Sequence, residues 1–337
     1  MLYVTTRSNL EPCTPQHVLK ETRGTDGGLY LPFRIPVLSS GDIQILAEKS
    51  FNQRIADVLN LFFSGNLSAW DVDFSAGRYP VRLIPLRNRI VMAECWHNPE
   101  WEYQRLVKVL SALLSAENTD EASWVPLAIR IAVLFGILGE RDILGEGPVD
   151  IAVVSGDFSV PLCAWYARQM GLPVGNIICC CNENKNLWDL MCLGQMPTDR
   201  VCISTIVPEA DNTLPFQLER YLCVCSGPGA VARFRNACAS ASSYVPEDPL
   251  LESLRKGMFV SVVSSSRLES AIPNVLHTHG YLMTPASALA YSGLMDYRAK
   301  TGINRRAVVI CDSGPQHCKE MISGLLGISH EDLKKMM

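Results

Sequence analysis

Residues 149–182, "VDIAVVSGDFSVPLCAWYARQMGLPVGNIICCCN", predict a strand, a helix and a second strand in direct succession. The first strand covers residues 150–154 and leads into a tight turn. The helix that follows ends at Gly171 and Pro173, which are typical residues of a helix terminus. Because a crossover helix of this kind connects parallel strands, the stretch predicts an α/β fold around a parallel sheet.

The rest of the chain divides into a mostly helical N-terminal region, residues 1–84, and a large α/β domain, residues 85–337. Apolar side chains recur at intervals of three and four over residues 40–63 and predict a helix there. Residues 100–116 and 124–139 predict two more helices. Short β-rich runs at residues 89–96, 201–208, 256–266 and 305–314 predict further strands.

Composition excludes several classes of protein. The formal charge is −4 and no run of Lys and Arg occurs, so we expect no nucleic-acid partner. The longest apolar run, residues 127–138, contains Arg130 and is shorter than the roughly 20 residues of a membrane helix. The N-terminus has no signal pattern, so a cytoplasmic location is expected. The 13 cysteines form no disulfide pattern, and His277 with His279 lacks a nearby third metal ligand.

Five stretches together resemble sequence motifs of the threonine synthase family. Threonine synthases are pyridoxal-phosphate enzymes of fold type II. The five stretches are "YVTTRS…TDGGLYLPFRIP" (3–36), "ECWHNPEWEYQRL" (94–106), residues 155–184, "YLMTPASALAYSGLMDY" (281–297) and "VVICDSGPQHCKE" (308–320). They follow the family's order over nearly the whole chain. The resemblance implies the tryptophan synthase β-like large domain of that fold type.

The resemblance places Gln104 at the position of the lysine that forms the Schiff base. His97 matches the family motif, and Arg105 replaces its aspartate. A Schiff base needs a primary amine, and the amide nitrogen of glutamine is not nucleophilic. Lys108 lies one helical turn further on, where it either reaches back to the site or is an ordinary exposed lysine.

The phosphate loop and the ring-nitrogen position also depart from the family. The loop S-G-N-F-G corresponds to Ser155, Gly156, Asp157, Phe158 and Ser159. A carboxylate about 4 Å from a phosphate is repelled by roughly 1 kcal/mol in water and roughly 4 kcal/mol near a protein surface. Asp157 or Ser159 also fits a simple helix cap. Asp312 takes the place of the threonine near the ring nitrogen, which an aspartate is able to face as well.

A small cofactor-cupping domain of the family is expected to be missing, with the deletion between about residues 115 and 122. Only about 50 residues separate Arg105 from Ser155, and several βαβ units of roughly 30 residues each do not fit there. Its loss would uncover the helices at residues 102–114 and 124–138. Either a second copy covers them in a two-fold dimer, or they pack within one chain.

These departures predict a catalytically inactive threonine synthase-like protein without a cofactor. It would bind a small-molecule anion, an amino acid or a protein partner. Either at least one of the aromatic rings of Trp96, Trp101 and Tyr103 fills part of the cofactor space, or these rings are ordinary core aromatics that point elsewhere. The alternative is an active threonine synthase or related lyase. That enzyme would use pyridoxal phosphate with another lysine or a second chain.

Overall fold

The computed structural model describes residues 1–8, 11–72, 81–96, 103–145 and 147–336. Its strands are β1 (Tyr3–Thr5), β2 (Tyr30–Pro32), β3 (Arg82–Leu86), β4 (Ile90–Glu94), β5 (Val149–Val154), β6 (Val174–Cys181), β7 (Met196–Pro197), β8 (Ser243–Tyr244), β9 (Met258–Val262) and β10 (Ala307–Cys311).

The helices follow in chain order. They are α1 (Pro15–Lys20), α2 (Ser40–Ala47), α3 (Phe51–Phe63), α4 (Tyr103–Leu113), α5 (Val125–Leu138), α6 (Arg141–Leu144), α7 (Ser159–Gln169), α8 (Asn186–Trp188), α9 (Leu218–Ser226), α10 (Pro228–Ser240), α11 (Asp248–Arg255), α12 (Ser265–His279), α13 (Pro285–Thr301), α14 (Lys319–Leu326) and α15 (His330–Met336). None of the helices in the described ranges is long and apolar enough to cross a membrane.

The central sheet has six strands in the order β3-β4-β10-β5-β6-β9. All neighbours run parallel except β3 and β4, which are antiparallel. The predicted α/β class and the β5–α7–β6 unit are therefore confirmed, and the sheet is mixed at one edge. A parallel sheet is normally covered on both faces. Here α5 and α7 pack on one face, and α12 and α13 pack on the other.

Two sequence predictions are wrong. The helix over residues 40–63 is two helices, because Ser50 caps a new one by accepting a hydrogen bond from the Gln53 N–H. Residues 201–208 form no regular strand. Side chains take the place of a neighbouring strand there, since the Ile203 N–H donates to Asn184 and the Thr205 N–H donates to Asp211.

The division into residues 1–84 and 85–337 stays a prediction. Strand β3 spans both sides of that boundary. The largest cluster of buried apolar residues also joins side chains of β1 and α3 to those of α5 and α7. The segment between α4 and α5 contains no strand and no helix. All 13 cysteines are free thiols.

The approach of α13 to the sheet depends on a glycine. A Cβ on Gly293 would lie 2.2 Å from the Sγ atom of Cys180 in β6. We expect Gly293→Ala to lower the free energy of unfolding by about 1–3 kcal/mol, because a packed interface takes an extra methyl group only by shifting. Chemical denaturation measures the change. Gly324→Ala is the matched control, since Gly324 is exposed in α14 with no neighbour within 4 Å of the added atom. That change should stabilise by about 0.5–1 kcal/mol. Equal effects of the two substitutions would contradict the packing argument.

Candidate functional site

A cavity of about 380 Å³ lies at the carboxyl ends of β5 and β10. Open α/β sheets bind ligands in the crevice at this end of their strands. The apolar part of its lining comes from Val153, Val154, Val160, Ala286 and Ile310, and the polar part from Tyr103, Gln104, Glu209, Asp312, Ser313 and His317. The size is within the range of small-molecule sites.

Gln104 lies in the first turn of α4, where its side chain is exposed and lines this cavity. Arg105 follows in the same helix, and its side chain is outside the described part of the structure, as are all of His97 and Trp101. Lys108 is exposed and is not among the described lining residues. Of the two alternatives for Lys108, the structure therefore favours the ordinary exposed lysine.

Residues 155–159, the turn between β5 and α7, are not among the described lining residues, although Val154 before the turn and Val160 after it line the cavity. Ser155 is buried, and its N–H donates to the Cys180 carbonyl. A Cβ on Gly156 would approach the Glu209 carbonyl oxygen to 2.9 Å, so this glycine permits a close backbone contact. Phe158 is fully buried with a left-handed backbone, φ 72°.

The Asp157 carboxylate caps this turn. Its Oδ1 atom accepts a hydrogen bond of 2.9 Å from the N–H of Ser159, the first residue of α7. An N–H at a helix N-terminus is the group that would otherwise bind an anion. The capping role considered for Asp157 from the sequence agrees with this geometry.

An ion pair between the buried Arg130 and the partly exposed Asp312 lies beside the cavity, and Asp312 lines it. Arg130 of α5 donates from both Nη atoms to the two carboxylate oxygens of Asp312, each at 2.7 Å. The guanidinium also stacks 3.2 Å from the ring centroid of Tyr103. Burial is the largest single influence on the pKa of Arg130 and lowers it, but Asp312, Tyr103 and Cys95 together outweigh burial, so the pKa lies above its usual value. Arg130 therefore stays charged.

Tyr103 also lines the cavity, beside this ion pair. Its hydroxyl is buried and has no hydrogen-bond partner among the described residues. Burial raises the pKa of this hydroxyl, against the opposing charge of Arg130, so the group stays neutral. Of the three aromatic rings predicted to fill the cofactor space, the described part of the structure places Tyr103 beside the cavity, and Trp101 lies outside that part, so the filling of this space stays a prediction.

Glu209 and Ser313 meet at the mouth of the cavity, where the Ser313 hydroxyl donates to Glu209 at 3.0 Å. Both residues, with His317, also line an adjoining cavity of about 650 Å³ that contains Lys319. Sequence reasoning missed Glu209 and the role of Arg130. For Arg130 a signal was present, since it is the only charged residue in the apolar stretch of α5. Glu209 lies in a loop with no motif.

The two helices expected to need a partner chain behave differently. Leu134 in α5 is fully buried within the chain, as are nearly all residues of that helix, which agrees with the alternative that this helix packs within one chain. In α4, Val109 is half-buried and Leu113 is 38% exposed. A two-fold dimer through α4 stays a prediction. In the described part of the chain, no group of His, Cys, Asp and Glu is arranged to hold a metal ion.

Residues 2–74 match the family model of the threonine synthase N terminus. Threonine synthase-like 1 of Macaca fascicularis is 29% identical over 182 residues, which are 53% of this chain and 24% of that protein. The Homo sapiens protein of the same name matches with the same identity and the same shares. The match thus spans about a quarter of the length of these relatives.

Solved structures resemble this chain over a larger part of its length. The pyridoxal-phosphate-bound threonine synthase from Brucella melitensis superposes with a TM-score of 0.84 at 18% identity, over 97% of this chain and 92% of that chain. Threonine synthase from yeast gives 0.83 at 14% identity, over 99% and 93%. At these identities the likeness shows the fold. In its N-terminal sequence and in this fold, the chain is similar to threonine synthases and threonine synthase-like proteins.

Proposed function

We propose that this protein performs no pyridoxal-phosphate chemistry and acts by binding a small organic molecule in the cavity beside Gln104. The observation that carries the proposal is Gln104 itself, which lines the cavity at the position where the family resemblance requires a lysine. An amide forms no Schiff base, and this holds for every rotamer of the side chain.

Two further features of the site do not fit the cofactor. The Asp157 carboxylate already accepts from the Ser159 N–H, so a negative charge stands where a phosphate would need donors. Both oxygens of Asp312 are bound by Arg130, which leaves this carboxylate committed to the guanidinium rather than to a ring nitrogen. Each feature independently weakens cofactor binding.

What remains supports binding of a small ligand. Apolar residues of β5, α7 and β10 provide the walls, and a few polar groups, Gln104, Glu209 and Ser313, converge at one end. Pockets of this composition hold drug-sized or smaller molecules. A purely anionic ligand is less favoured than the sequence indicated, because Arg130 is already paired and Glu209 and Asp157 add negative charge nearby.

The alternative of an active enzyme needs another lysine. Lys108 does not line the cavity among the described residues, so it gives this alternative little support. Lys319 lines the adjoining cavity, which shares Glu209, Ser313 and His317 with the first. Lys319 is therefore the residue through which the alternative has to be tested.

We expect the purified protein, incubated with pyridoxal phosphate, to show no Schiff-base absorbance band. Borohydride reduction followed by peptide mapping should label no single lysine. The matched variant is Gln104→Lys, which restores the amine alone. It should also bind the cofactor poorly, because Asp157 and the Arg130–Asp312 pair are unchanged. A stoichiometric adduct on Lys108 or Lys319 of the unsubstituted protein would contradict the proposal. A Schiff-base adduct that forms only in the Gln104→Lys variant would show that the residue at position 104 alone accounts for the lost reaction with the cofactor.

A further inference from the structure

A second, smaller cavity of about 180 Å³ lies at the carboxyl end of β4. It shares none of its described lining residues with the cavity beside Gln104. Its polar lining residues are Arg82, Glu94, Trp96 and Tyr281, and Ile84 and Leu282 supply apolar contacts. Neither the family resemblance nor the proposed function assigns a role to this cavity.

Two buried polar atoms in its lining lack partners among the described residues. They are the Oε2 atom of Glu94, a residue only 4% exposed, and the Nε1 atom of Trp96. One is an acceptor and the other is a donor. Buried polar groups are nearly always satisfied, so two such atoms in one cavity indicate that something else binds there. Water or a ligand with both kinds of group would satisfy them.

The Glu94 carboxylate is buried, and a positively charged side chain lies near it. The Nη1 atom of Arg82 lies 4.0 Å from Glu94 Oε2, at the long limit of an ion pair, and the Arg82 side chain is largely exposed. Tyr281 lines the same cavity as Glu94. Burial raises the pKa of Glu94, while Tyr281 and Arg82 lower it. A ligand with a cationic group would therefore favour the ionised carboxylate.

The position of Trp96 depends on Gly314. A Cβ on Gly314 would lie 2.4 Å from the Cε3 atom of the Trp96 ring, so only glycine leaves room for it. The family resemblance places histidine at the position of Gly314 and phenylalanine at that of Trp96. The two departures are thus complementary in space, and together they bring an indole N–H to this cavity.

We propose that this cavity binds a small zwitterionic α-amino acid of the size of glycine or alanine. The ammonium group donates to Glu94, and the carboxylate accepts from the Trp96 indole N–H and from Arg82. Every unpaired group in the lining then has a partner of opposite character. A cavity of about 150 Å³ is known to hold benzene, which has six non-hydrogen atoms, so this cavity has room for alanine, which has the same number.

Indole N–H resonances in a ¹⁵N–¹H correlation spectrum provide the test. The chain has six tryptophans, and a Trp96→Phe variant identifies the signal of Trp96. Millimolar glycine or L-alanine should shift that signal and leave the signal of Trp70, which is 87% exposed, unchanged. Ethanolamine, which lacks the carboxylate, and acetate, which lacks the ammonium group, should each bind about tenfold more weakly. L-Leucine should not bind, because it exceeds the cavity.

Substitutions separate the site from a general effect. Glu94→Gln should weaken glycine binding about tenfold, and Arg82→Gln should weaken it less, because Arg82 is mostly exposed. Glu331→Gln, on the exposed side of α15, is the matched control and should change nothing. The spectrum itself reports whether each variant is folded. An unmoved Trp96 signal, acetate binding as tight as glycine binding, or unchanged binding in Glu94→Gln would each overturn the proposal.

Discussion

Asp312→Ala is expected to lower the free energy of unfolding by about 3–5 kcal/mol, measured by chemical denaturation. Arg130 is 5% exposed, and both Nη atoms donate to Asp312 at 2.7 Å. Without the carboxylate, the guanidinium remains buried beneath Tyr103 with no anion to balance it. The cost is mainly that of an unpaired buried charge, since the deleted side chain is small.

Three further substitutions test that explanation. Arg130→Met should cost less than Asp312→Ala, because the Asp312 side chain is 39% exposed and water hydrates it when its partner is gone. The double substitution should be close to Arg130→Met alone, as expected for two residues coupled in one pair. Glu117→Ala removes a mostly exposed partner of Lys20 and should change stability by only about 0–1 kcal/mol. If Asp312→Ala were as mild as Glu117→Ala, the Arg130–Asp312 pair would not contribute as described.

Trp124→Ala is expected to cost about 3–5 kcal/mol, the range for removing a large buried ring. Trp124 is fully buried at the N-terminus of α5. Its ring centroid lies 6.3 Å from that of Tyr3, 5.7 Å from Phe62 and 5.2 Å from Tyr166. These partners belong to β1, α3 and α7, so one side chain connects the N-terminal region to the sheet.

The same substitution tests the predicted domain division. If residues 1–84 pack on the rest of the chain through Trp124, the unfolding midpoint of the whole chain should fall in a single transition. Fluorescence and circular dichroism should report the same midpoint. Trp70→Ala is the matched control, since Trp70 is 87% exposed, and it should change stability by less than about 0.5 kcal/mol. Two separate transitions, with only one shifted, would favour an independent N-terminal domain.

Local patterns in the sequence were enough for the class of fold. The β5–α7–β6 unit was predicted within one residue of its strand start, because the apolar runs of its strands, the turn and Gly171 are all encoded by near neighbours. The break between α2 and α3 was missed for a related reason. Residues 48–50 are polar but contain no proline or glycine, and only the cap formed by Ser50 shows that a new helix starts there.

The chemistry of single residues was also determined by sequence alone. Gln104 has an amide wherever it lies, so the loss of a Schiff-base nucleophile at that position needed no coordinates. The lone charge of Arg130 within an apolar helix is visible in the sequence too, although its role was not predicted from it. The sequence did not name the partner.

Only the tertiary structure identifies the interaction partners of these residues. Arg130 and Asp312 are 182 positions apart, and they meet because α5 packs over the carboxyl end of β10. Trp96 and Gly314 likewise fit together only once β4 and β10 are neighbours in the sheet. A residue's own type and near neighbours determine its local conformation and its reactivity. Contacts between distant parts of the chain decide whether another group neutralises that residue, whether it stays unpaired and whether a cavity forms beside it. Folding brings those parts together.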